Sequence, residues 1–116
     1  MNDPAELALA EAAIASGVTG CYEWDDKQAE RVRADPGLQG LTPEYIRRRL
    51  HEFITTGGKL HQVVETRPEY SYRRYYYKAI VPEPGFPNGV FVELELTDDD
   101  PDLPCVTLWN AHPQTR

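Results

Sequence analysis

The spacing of apolar residues changes once along this chain, from a helical repeat to an alternating one. In the N-terminal half, Leu7, Ala10 and Ile14 recur at helical intervals, and Ile46, Leu50, Phe53 and Ile54 form one stripe. Both runs carry end signals. Asp3 precedes Pro4, with Glu6 three residues after the cap, and Gly17 follows the first run. Thr42 precedes Pro43, and Gly57 and Gly58 follow the other. Between them "DDKQAERVRAD" predicts a weaker helix, capped by Asp25 or Asp26 and ended by Pro36 and Gly37.

From Lys59 the period becomes two. "KLHQVVETR", "YSYRRYYYKAIV", "GVFVELEL" and "CVTLWNAH" read as strands, separated in the later part by "PEPGFPNG" and "DDDPDLP". Short connections favour antiparallel neighbours, because a parallel return needs a crossover of a dozen or more residues. The pattern predicts one α+β domain over residues 1–116. Two to three N-terminal helices fill residues 1–58, and a four-stranded antiparallel β-meander follows in 59–113.

Alternation assigns faces. Val90, Val92, Leu94 and Leu96 share the side that must meet the helices, and Phe91, Glu93, Glu95 and Thr97 share the other. In the last strand Val106 and Leu108 share a face with Asn110 and His112, opposite Thr107, Trp109 and Ala111. The stretch "EYSYRRYYYKA" holds five of the seven tyrosines. Arg73, Tyr75, Tyr77 and Ala79 alternate there with Arg74, Tyr76, Lys78 and Ile80, so the tyrosines cannot form one platform. Rings beside guanidinium groups suit nucleic-acid bases and phosphates, and they equally suit a half-exposed strand.

Charge sharpens this. The chain is acidic overall at −7, yet residues 42–80 carry eight bases against four acids, a basic segment between two acidic ones. No apolar run approaches bilayer length, and the N-terminus lacks the basic region of a secretory signal, so a cytoplasmic protein without membrane contact is expected. Cys21 and Cys105 lack metal-ligand spacing. Two reduced thiols are expected, with one long-range disulfide as the alternative. No metal or cofactor is expected, since the chain has no phosphate-cradling glycine loop, zinc signature or nucleophile elbow.

Chemistry-bearing residues remain. His112 ends the last strand, where a neutral-range titration suits proton transfer. Glu93 and Glu95 are alternating carboxylates that read as a solvated face or as a general base toward a ribose 2′-hydroxyl. Arg47, Arg48 and Arg49 read as a solvated helix face.

The segments "LTPEYIRRRLHEFITTGG", "YYYKAIV", "NGVFVELEL" and "PCVTLWNAHPQ" together resemble the barnase–colicin–RelE superfamily of small toxin-type ribonucleases, over residues 42–113. The resemblance implies metal-independent RNA cleavage through a 2′,3′-cyclic phosphate. It casts His112 as general acid or base and Arg73 or Arg74 as the stabiliser of phosphate charge. Tyr75 or Tyr77 would orient the ribose or stack a base, and Lys59 and Lys78 would be further RNA contacts. The residues alone leave two other readings open. One is a non-catalytic protein-interaction module of immunity or antitoxin type. The other is a homodimer through the tyrosine-rich strand, if that strand is an open sheet edge.

Overall fold

A computed structural model describes residues 2–115. Its three helices form where the caps predict. Helix α1 spans Pro4–Ser16, with the Asp3 carboxylate accepting from the Glu6 N–H at 3.1 Å. Gly17 leaves it at φ +64°, a left-handed conformation that favours glycine. Helix α2 spans Asp26–Ala34 with Asp25 as cap, and α3 spans Pro43–Thr55 with Thr42 as cap. Ala10, Ala13 and Ile14 of α1, Val32 of α2 and Ile46 and Leu50 of α3 join one core with the sheet.

The sheet differs from the expected meander. It has five strands in the order β1-β5-β4-β3-β2: β1 Tyr22–Trp24, β2 His61–Val64, β3 Tyr75–Glu83, β4 Phe86–Asp98 and β5 Cys105–Pro113. Strands β2 to β5 are antiparallel neighbours, whereas β1 adds parallel to β5, with Tyr22 opposite Val106. The fold is α+β with a mixed sheet. The crossover required for a parallel pair is supplied by everything between β1 and β5. Cys21, just before β1, and Cys105, the first residue of β5, lie side by side, 4.2 Å apart at Cα, and are bonded as a disulfide; the expectation of two reduced thiols is thereby corrected in favour of the long-range disulfide.

Two further differences matter for the site. Strand β3 starts only at Tyr75, and Pro68–Tyr70 form a short 3-10 turn. Residues between β2 and β3 therefore form a loop and not the first half of a strand. In the β4–β5 ladder, Glu93 pairs with Asn110 but Leu94 pairs with Leu108, so Trp109 is an extra residue, a bulge. The extra residue reverses the phase of β5 beyond it. Ala111 is buried opposite Val92, and His112 lies opposite Phe91 on the other face. The expected grouping of His112 with Val106 and Leu108 is thereby overturned.

The core face carries Tyr75, Tyr77, Ala79, Val81, Val90, Val92, Leu94, Val106, Leu108 and Ala111 in one cluster with the helices. The opposite face carries Tyr76, Lys78, Ile80, Phe91, Glu93, Glu95, Thr107 and His112, and among the described residues no helix residue of the core packs there. Among the described residues no helix is long and apolar enough to cross a membrane.

Candidate functional site

The loop between β2 and β3 folds back over the helix-free face and concentrates charge there. Glu65, just past β2, has a side chain only 1 % exposed. Its Oε2 accepts from Arg67 Nε at 2.8 Å and its Oε1 from Arg73 Nε at 2.8 Å. Arg67 also donates from Nη2 to Glu93 Oε2 at 3.1 Å. Arg73 donates from Nη1 to Glu95 Oε1, and its Nη2 lies 3.6 Å from Glu93 Oε2. That same Nη2 is buried and lies 2.6 Å from Glu65 Oε1 in ion-pair contact, with no hydrogen bond directed along its N–H.

Aromatic rings roof this cluster. The Arg73 guanidinium sits 4.5 Å from the Tyr70 ring centre, and the Arg67 guanidinium sits 4.7 Å from those of Tyr70 and Tyr76. Each cation is attracted to the ring quadrupoles as well as to the carboxylates. Tyr72 donates to Glu95 Oε1 at 2.8 Å, and Trp109 Nε1 reaches the Tyr70 hydroxyl at 3.4 Å. Three carboxylates against two guanidiniums leave the cluster with one negative charge in excess. The arginines, chiefly Arg67, hold the Glu65 carboxyl at about 2, against an ordinary 4.5, although burial acts the other way.

Two rows of side chains continue the face from Glu93 outward. Lys78, Glu93 and Asn110 lie across from one another on β3, β4 and β5. Ile80, Phe91 and His112 form the next row, and the Phe91 and His112 rings stack at 4.6 Å between centres, 17° apart. His112 is half-buried, and its Nδ1 lies 3.0 Å from the Pro113 carbonyl oxygen.

Of the residues singled out from sequence, Arg73, Lys78 and His112 share this face. Tyr75 and Tyr77 do not: both are buried among the helices. The Tyr77 hydroxyl donates to Glu6 and accepts from Gln62 Nε2 at 3.0 Å, a tie between α1 and the sheet. Burial, and then the neighbouring Glu6, push its phenol well above the usual tyrosine range. Arg74 is exposed and turns to Tyr75, with Nη2 3.3 Å from that hydroxyl. Lys59 is exposed in the connection before β2. Strand β3 lies between β4 and β2, with Tyr77 and Lys78 paired on both sides, so it is not an edge strand of the sheet.

Glu65 and Arg67 were not among the candidates. The signal for them was present in "ETRPEYSYRR": acids and bases alternate around a proline turn, and a loop that neutralises itself can pack on a sheet. Among the described residues no group of three or more His, Cys, Asp or Glu is arranged to hold a metal ion.

No family model, curated protein or solved structure matches this chain.

Proposed function

We propose that the helix-free face of the sheet cleaves RNA, and that the chain is a metal-independent endoribonuclease of the kind its sequence resembles. The observation that carries the reading is the sharing of one face by Glu93, His112, Lys78, Arg67 and Arg73 in adjacent rows. Rows two residues apart along a strand are roughly 7 Å apart. A phosphodiester held between them has one proton-transfer group toward the ribose 2′-hydroxyl and one toward the 5′-oxygen.

In the step that follows, Glu93 takes the proton of a ribose 2′-hydroxyl, whose oxygen attacks the adjacent phosphorus. The bond to the 5′-oxygen breaks, and protonated His112 supplies that oxygen with its proton. The products are a 2′,3′-cyclic phosphate and a free 5′-hydroxyl. Charge building on the non-bridging oxygens is met by Arg67, which is the more exposed of the two arginines, and by Lys78. Arg73 acts by holding Glu93 and Glu95 in place. Tyr75 and Tyr77 have no part in this scheme. A cytoplasmic setting suits an RNA substrate, and the disulfide is then the part of the molecule most exposed to reduction.

A second reading has a specific observation in its favour. Arg67 and Arg73 are already neutralised by Glu65, Glu93 and Glu95, and the whole chain carries −7. That suits a non-catalytic module whose tyrosine-rich roof meets a basic protein. End-labelled RNA incubated with the protein in EDTA separates the two. The ribonuclease reading predicts fragments with cyclic-phosphate ends, and none from a 2′-O-methyl oligonucleotide. Intact RNA at high protein concentration would reject it in favour of the binding module.

A further inference from the structure

Beside the charged rows, an open cleft of about 500 Å³ lies against the β3–β4 hairpin. Ile80, Pro82, Phe86 and Pro87 wall it, and Arg49 and Asn88 stand at its rim. This volume is enough to receive one planar organic group lying against the surface, since ligand pockets run from roughly 300 to 1,000 Å³. The hairpin is held tight at Gly89, whose φ is +80° and where a Cβ would lie 2.9 Å from the Val81 carbonyl oxygen.

The polar rim of the cleft is organised in advance. Arg49 donates from Nε to Glu83 Oε1 at 2.9 Å, from Nη2 to the Pro82 carbonyl at 3.0 Å and from Nη1 to Glu52 at 3.2 Å. Tyr45 donates to the other oxygen of Glu83 at 2.7 Å. A guanidinium has five N–H donors, so Arg49 keeps two for a ligand after these contacts. The wall also connects to the reacting face. Ile80 lies opposite Phe91, and Phe91 stacks on His112. A polymer with a phosphodiester beside His112 thus runs directly onto this wall.

We propose that the cleft is a nucleobase subsite, taking the base next to the scissile phosphodiester of single-stranded RNA; it rests on the ribonuclease reading. The flat proline and isoleucine surfaces meet the faces of the base, as apolar side chains do when a base is held out of its stack. The free N–H groups of Arg49 meet a carbonyl oxygen on its edge. Nothing in this arrangement suits a bare phosphate, because most of the wall is apolar.

The test is an amide-shift titration of the full chain with a 2′-O-methyl RNA trinucleotide, which is not cleaved, beside the same oligomer made abasic at one flanking position. The proposal predicts shifts at Gly85, Asn88 and Gly89 with the base-bearing oligomer and their loss with the abasic one. It further predicts that Asn88→Glu, at an exposed position near the start of β4, weakens binding of the base-bearing oligomer at least fivefold while the abasic one is unaffected. Shifts confined to the neighbourhood of Glu93 and His112 would overturn the subsite and leave the ribonuclease reading standing. Absence of shifts anywhere would overturn both.

Discussion

Replacing Glu65 by glutamine removes one negative charge from beneath Tyr70 while keeping an acceptor of similar shape. In the native protein this carboxylate accepts from Arg67 Nε and Nη2, from the Arg67 backbone N–H and from Arg73 Nε. Held at about 2 where 4.5 is ordinary, it contributes about 3 kcal/mol to stability at neutral pH, an upper bound from linkage. The figure is within the range for breaking a buried ion pair, about 3–5 kcal/mol. The unfolded chain takes up this proton near 4.5 and the folded chain only near 2. Across that window the unfolded state binds more protons, so the contribution is complete above the unfolded value and is lost as pH falls toward 2. Urea unfolding of wild type and Glu65→Gln at pH 7, 5, 4 and 3 measures it. The gap should approach 3 kcal/mol at pH 7 and shrink steadily below pH 5. A gap under about 1 kcal/mol at pH 7, or one unchanged at pH 3, would refute the clamp described here.

Other consequences are independent of this cluster. The Cys21–Cys105 bond closes a separation of 84 residues, for which the chain-entropy relation gives about 4–5 kcal/mol. Reduction, or the double change to serine, should lower the urea midpoint accordingly, and an unchanged midpoint would show that the bond stabilises nothing. Tyr77→Phe deletes a buried hydroxyl joined to Glu6 and Gln62 and should cost about 1–3 kcal/mol by thermal unfolding. Ultraviolet titration should find Tyr77 among the last tyrosines to ionise, and ionisation near pH 10 would contradict its burial between α1 and the sheet.

The helices were legible because each is written twice, once in its apolar stripe and once in its caps. Asp3 with Pro4 and Thr42 with Pro43 satisfy backbone donors at fixed offsets, and the structure repeats those offsets. Strand β1 was not legible. Three residues hold no readable period, and Tyr22–Trp24 is a strand only because β5 offers an edge beside it. The bulge at Trp109 defeated alternation for a related reason, since a single unpaired residue reverses every face after it.

The candidate site was partly legible by the same physics. Arg73, Lys78 and His112 were chosen for their chemistry and lie on the helix-free face. Tyr75 and Tyr77 were chosen the same way, yet their rings are needed to fill the core. Tyrosine is amphipathic enough for either role, and pattern alone does not divide them. Glu65 and Arg67 acquire meaning only when the loop folds over β4, a contact between residues 26 apart for Arg67 and Glu93.

The most direct test of the central claim compares wild type with His112→Ala on a defined oligoribonucleotide, in EDTA, after circular dichroism has shown both to be folded. His112 is half-buried at the end of β5, so its removal spares the core and the Glu65 clamp. The account predicts cleavage by wild type and a kcat at least a hundredfold lower in the variant, the usual worth of a positioned acid. Equal cleavage by the two proteins, or none by wild type, would contradict it.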